Sequence, residues 1–128
     1  MTFESLIKAI ADDFTNAWNR WDIEAMMKHL CPNVLITSPN ISLVYPSNSE
    51  NKIVGKENVL AYWEKLKMIQ GPIIVIQESF EKIDTVIQTK NRIIGKNILI
   101  NESFKLNEYG KIQELHYTYT YLPADVNQ

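Results

Sequence analysis

Few side chains in this chain combine a reactive group with an unusual setting, and Glu102 is the clearest of them. Over 97–106 the residues alternate, so Ile98, Ile100, Glu102, Phe104 and Leu106 share one face, opposite Leu99, Asn101, Ser103 and Lys105. The apolar face is the one a sheet buries, so Glu102 is expected to point inward. A carboxylate there is costly unless it is paired, hydrogen-bonded or protonated. The chemistry this allows is acid/base transfer, or anchoring the polar end of a ligand, with apolar surroundings raising the pKa. The structural alternative is a carboxyl satisfied by a neighbouring tyrosine, tryptophan or water.

The next strand, over 111–122, puts Gln113, Leu115, Tyr117, Tyr119 and Tyr121 on one face and Ile112, Glu114, His116, Thr118 and Thr120 on the other. Tyrosines in a row make an amphipathic lining, with apolar rings whose hydroxyls need partners. Tyr117 and Tyr119 are therefore expected to meet Glu102 in a common cavity suited to a small molecule. His116 falls on the opposite face, which makes it an outer-surface residue rather than a base. His29 and Cys31 are two potential metal ligands without a second cluster, so no metal site is expected. A histidine ending a helix is explained by the last carbonyls. Asp12 and Asp13 read as a solvated helix face. The four glycines are too scattered for a phosphate-cradling loop, no Gly-x-Ser-x-Gly elbow occurs, and no cofactor is expected. Asn40-Ile-Ser42 and Asn101-Glu-Ser103 match the glycosylation pattern without a secretory signal beside them.

The elements that must position these residues follow from periodicity. Phe3, Leu6, Ile7, Ile10, Phe14, Ala17, Trp18 and Trp21 mark one face of a first helix, with Thr2 as its N-cap. Asp22 caps a second helix over 23–30, which Cys31-Pro32 ends. A short β-branched strand covers 34–37, and 39–51 reads as a loop or ragged hairpin around 41–45. A third helix over 57–69, with Val59, Leu60, Tyr62, Trp63, Leu66 and Ile69 as apolar positions, stops at Gly71-Pro72. Four strands then follow, over 73–83, 85–94, 97–106 and 111–122, with turns at Asp84, Gly95-Lys96 and Asn107–Gly110. Trp18, Trp21, Tyr62 and Trp63 read as core and cavity wall. Helices first and strands after indicate an α+β fold, about three helices on one face of a curved, mainly antiparallel sheet.

At 128 residues, 45% hydrophobic and 22% charged, the chain is expected to be one globular domain over 1–128. Thirteen basic residues against fifteen acidic ones give no reason to expect nucleic acid or an anionic membrane as partner. One cysteine excludes an intrachain disulfide. Charges through the first twenty residues and the lack of a long apolar run point to a soluble, cytoplasmic protein.

The run Phe14–Leu30, then Val34–Pro39, resembles the opening of SnoaL-like proteins. So does Val54-Gly-Lys-Glu-Asn-Val-Leu-Ala-Tyr-Trp63, and Phe104–Ile112 resembles their last hairpin. This resemblance implies the nuclear transport factor 2-like cone, shared with steroid Δ-isomerases and polyketide cyclases, and a homodimer through the outer sheet face. Carried over residue by residue, the isomerases' tyrosine falls on Phe14, their aspartate base on Ser38 and their protonated oxyanion acid on Glu102. Phe14 has no hydroxyl and Ser38 cannot take a proton unaided, so that mechanism does not fit this chain.

Fold does not settle function. The first expectation is a pocket binding a small, largely apolar molecule, lined by Phe14, Trp18, Ser38, Tyr62, Trp63, Glu102, Tyr117 and Tyr119. The second is an isomerase, cyclase or dehydratase with Glu102 as acid/base and Tyr117 or Tyr119 stabilising an oxyanion. The third is a protein-interaction module using Ile112, His116, Thr118 and Thr120 on the outer face.

Overall fold

The computed structural model describes residues 2–71 and 73–123; Pro72 and the Phe3 side chain lie outside the described residues. Helix α1 (Phe3–Asn19) is capped by Thr2, whose hydroxyl accepts from the Ser5 amide at 3.1 Å. It ends before Trp21, which turns the chain at φ 49° and donates its indole N–H to the Gly71 carbonyl. Helix α2 (Ile23–Met27) is capped by Asp22 as expected, but it stops three residues short of the predicted end. Strand β1 (Leu30–Thr37) takes over there, passing through Pro32. The pairing of β1 breaks between Leu30 and Leu35, so the missing proline N–H falls where the ladder is already interrupted.

The 39–51 segment holds a short helix, α3 (Ile41–Val44), and is followed by a three-residue strand, β2 (Lys52–Val54). Gly55, at φ 99°, makes the turn into α4 (Lys56–Gln70), which buries Val59, Tyr62, Trp63 and Leu66. Ile69 on α4 and Leu6 on α1, both predicted as apolar-face positions, are exposed. Strands β3 (Val75–Ile83), β4 (Val86–Ile93), β5 (Ile98–Leu106) and β6 (Ile112–Tyr121) form the antiparallel meander the alternation predicts. The sheet order is β2-β1-β6-β5-β4-β3, with β1 parallel to β6 and every other pair antiparallel. The fold is α+β, with the helices packed on a curved, unclosed sheet. Among the described residues no helix is long and apolar enough to cross a membrane.

The faces of β5 follow the predicted alternation: Ile100, Glu102 and Phe104 are buried. On β6 two assignments reverse. Leu106 pairs with Ile112 while Lys105 pairs with Glu114, so Gln113 is the extra residue of a bulge. Ile112 is therefore buried in the core and Gln113 exposed, and Ile112 drops out of the predicted outer-face contact. Tyr121 is exposed too, at the far end of its strand.

Candidate functional site

The register of three strands places the polar residues of the inner face in one row. Thr89 on β4 faces Glu102 on β5, and Glu102 faces Tyr117 on β6. Asn91, Ile100 and Tyr119 form the next row, and Ile87, Phe104 and Leu115 the one on the other side. Because one face carries all of these side chains, Glu102 is 6% exposed and Thr89 and Asn91 less.

Glu102 is held by one hydroxyl. Thr89 Oγ1 donates to Glu102 Oε1 at 3.1 Å, and Asn91 Nδ2 donates to Thr89 Oγ1 at 3.1 Å. Tyr117 Oη stands near enough to the carboxyl to affect its proton, yet it lies outside hydrogen-bonding geometry and is left unpaired. Tyr117 is thus a neighbour of Glu102, and Thr89 is its bonded partner. Burial pushes the Glu102 carboxyl up from the ordinary 4.5 to about 7, against the opposing pull of Tyr117 and Thr89. The two groups acting on that proton are neutral hydroxyls rather than cations. Burial also raises Tyr117 well above the usual phenol range, and the nearby Glu102 charge raises it further. Asn91 Oδ1 and, across from it on β3, Gln77 Nε2 are buried without a bonded partner among the described protein groups. The inner face thus concentrates polar groups whose desolvation is incompletely compensated.

The helices close over this face. From α1 come Phe14 and Trp18; Phe14 sits 6.1 Å from the Trp63 ring and Trp18 sits 6.1 Å from the Tyr117 ring, centre to centre. From α4 come Tyr62 and Trp63. Ser38, just past the end of β1, is buried and faces Tyr62 and Tyr119. All eight residues singled out in the sequence therefore line one cavity. Thr15, Leu66, Val75, Asn91 and Ile100 complete the wall. The space between the walls, mouth included, is about 470 Å³, but only about 20 Å³ is open to the centre of a water molecule. As it stands, the interior has room for about one water.

Asn40 was missed by sequence reasoning. It caps α3 without the usual side-chain bond, and its Nδ2 instead donates to Tyr119 Oη at 2.8 Å. The only sequence signal is an asparagine ahead of Ile-Ser-Leu-Val, which predicts a cap and not a contact across 79 residues.

The other candidates lie elsewhere. His116 is on the outer face, with Nδ1 2.7 Å from Thr37 Oγ1 and Nε2 3.0 Å from Glu114 Oε1. His29 Nε2 lies 2.6 Å from Asp13 Oδ2, so Asp13 is a hydrogen-bond partner of His29 rather than merely solvated. Cys31 is buried, and no group of three or more metal-ligating side chains occurs among the described residues.

No protein-family model matches the sequence, and no curated protein matches it either. Solved structures do. A SnoaL-like protein of unknown function from Burkholderia thailandensis superposes with a TM-score of 0.81 at 18% identity, covering 94% of this chain and 99% of that one. A nuclear transport factor 2-like protein of unknown function from Burkholderia xenovorans gives 0.75 at 14% identity, over 95% and 88%. TerC, co-crystallised with polyporic acid, gives 0.71 at 10% identity, over 89% and 91%. The chain has the SnoaL-like, nuclear transport factor 2-like fold.

Proposed function

We propose that this chain binds a small, largely apolar molecule in the cavity beneath α1 and α4, with Glu102 and the tyrosines fixing its polar end. The observation that carries this reading is the setting of Glu102. Raising a carboxyl from 4.5 to about 7 costs about 3 kcal/mol of stability at pH 8. An isoleucine or phenylalanine in that row would avoid the cost, and residues kept at the expense of stability mark function. TerC, a protein of the same fold, was co-crystallised with polyporic acid, which supports reading this chain as a binder of an organic molecule. Occupation by more than a water requires the walls to give way, and Thr15, Trp18 and Tyr119 are only half-buried. The test is native mass spectrometry of freshly purified protein, repeated under denaturing conditions. Extra mass held only in the native state, and lost in Glu102→Gln, is the expected result. A bare native chain whose tryptophan emission no apolar probe alters contradicts it.

One observation favours a second reading, acid/base catalysis. A carboxyl with a pKa of about 7 is present in both protonation states at neutral pH, where a proton donor and acceptor is most effective. Loss of turnover in Glu102→Gln with binding retained would select it. The outer sheet face, where His116 is half-exposed and Thr118 and Thr120 are exposed, remains the proposed surface for a protein partner or a second copy, which co-purification and the molar mass in solution test.

A further inference from the structure

Glu102 is not the only polar end of the cavity. In the sheet, β6 lies between β1 and β5, so Ser38 and Glu102 approach the tyrosine strand from its two sides. Around Ser38 gather the hydroxyls of Tyr62 and Tyr119, each close enough to Ser38 for its hydroxyl to act on the phenol's proton. Asn40 supplies two further donors: its backbone N–H to Ser38 Oγ at 3.2 Å and its Nδ2 to Tyr119 Oη at 2.8 Å.

Counting protons gives this cluster a polarity. Ser38, Tyr62 and Tyr119 bring three hydroxyl protons, and none of these hydroxyls donates in the hydrogen bonds of the described residues. Asn40 donates to both Ser38 Oγ and Tyr119 Oη, which fills acceptor sites on those oxygens and uses none of their protons. The three side chains all line the cavity. The cluster is therefore a net donor, short of an acceptor.

We propose that this cluster receives a carbonyl oxygen of the bound molecule, making the ligand a small apolar ketone or related carbonyl compound held by Ser38, Tyr62 and Tyr119. Asn40 is the positioning residue, since its amide occupies a Tyr119 lone pair and turns the phenol proton toward the ligand. A neutral carbonyl fits better than a carboxylate, because the same cavity already encloses Glu102. The proposal rests on the reading of the cavity as a ligand site and adds the ligand's chemistry to it.

The test uses 1-indanone labelled with carbon-13 at its carbonyl, with indane as the same shape lacking oxygen. Binding is followed by tryptophan emission, and the carbonyl stretch by infrared difference spectroscopy. In the unmodified protein, indanone is expected to bind about tenfold tighter than indane, the worth of one hydrogen bond to a buried donor. Its stretch should fall to a lower wavenumber than in hexane. Tyr119→Phe and Ser38→Ala should each move the stretch back toward the hexane value. Asn40→Asp, which accepts where Asn40 donates, should draw the Tyr119 proton away and do the same in a folded chain. If Ser38→Ala fails to fold, Tyr119→Phe keeps the ring of a half-buried residue and decides alone. A lowered stretch that survives Tyr119→Phe and disappears in Tyr117→Phe would place the oxygen beside Glu102, overturning the assignment while leaving the binding reading intact. Equal affinity for indanone and indane would overturn it too. If neither probe binds, the binding reading falls and takes this inference with it.

Discussion

Ile87, Phe104 and Leu115 face one another across β4, β5 and β6, and two residues further along the same strands stand Thr89, Glu102 and Tyr117. Both rows are buried, and both point at the helices. The first contains nothing but hydrocarbon and stabilises the fold by excluding water. The second has the same burial and leaves a carboxyl and a phenol partly uncompensated. Backbone, burial and strand pairing are shared, so the difference lies in side-chain chemistry alone. One row holds the molecule together, and its neighbour gives up stability for a site.

Substitutions can sharpen or break that contrast. The largest effect is expected in the apolar row: Phe104→Ala should destabilise by about 3–5 kcal/mol in urea unfolding, equally at pH 4 and pH 8. A pH-dependent loss would show that the two rows are not separable. In the polar row, Glu102→Gln should act in the opposite direction. The folded-state pKa lies above the unfolded one, so the penalty carried by Glu102 is absent below about 4.5 and grows as pH rises toward about 7. The variant should therefore gain up to about 3 kcal/mol over the wild type at pH 8 and nothing at pH 4, as read from urea midpoints at the two values. Thr89→Val removes the bond that favours the ionised carboxyl. It should cost about 1–2 kcal/mol and push the Glu102 midpoint further up, which carboxyl carbon-13 shifts would record. The smallest effect belongs to the outer face, where Asn101 bonds to Thr120 in the open. Asn101→Ala should stay within about 0.5 kcal/mol by thermal melting.

Much of this contrast is legible in the sequence, because alternation on a strand fixes which side chains share a face. Glu102 between Ile100 and Phe104 reads as an inward carboxyl for that reason alone, and the turns at Asp84, Gly95 and Gly110 keep the register. Alternation fails where a ladder slips: the bulge at Gln113 exchanges the faces of Ile112 and Gln113, and nothing local announces it. It also fails for elements too short to show a period. Strand β2 has three residues and α3 four, and both exist because Ile53 and Ile41 find buried places beside β1 and α4. Pro32 marks the end of α2 in the sequence, and only the broken pairing of β1 shows why a strand can pass through it. Ser38 came into view through resemblance, but its companion Asn40 depends on a contact with Tyr119 that only the folded chain creates.

The most direct measurement is the titration of Glu102 itself, by carbon-13 NMR of the side-chain carboxyls, with Glu102→Gln identifying the resonance. A midpoint near 7 is the predicted result, a carboxyl held in the cavity at the expense of stability. A midpoint near the ordinary 4.5 would mean that water or an unseen partner fully compensates the charge, and Glu102 would then be one more satisfied side chain in the core.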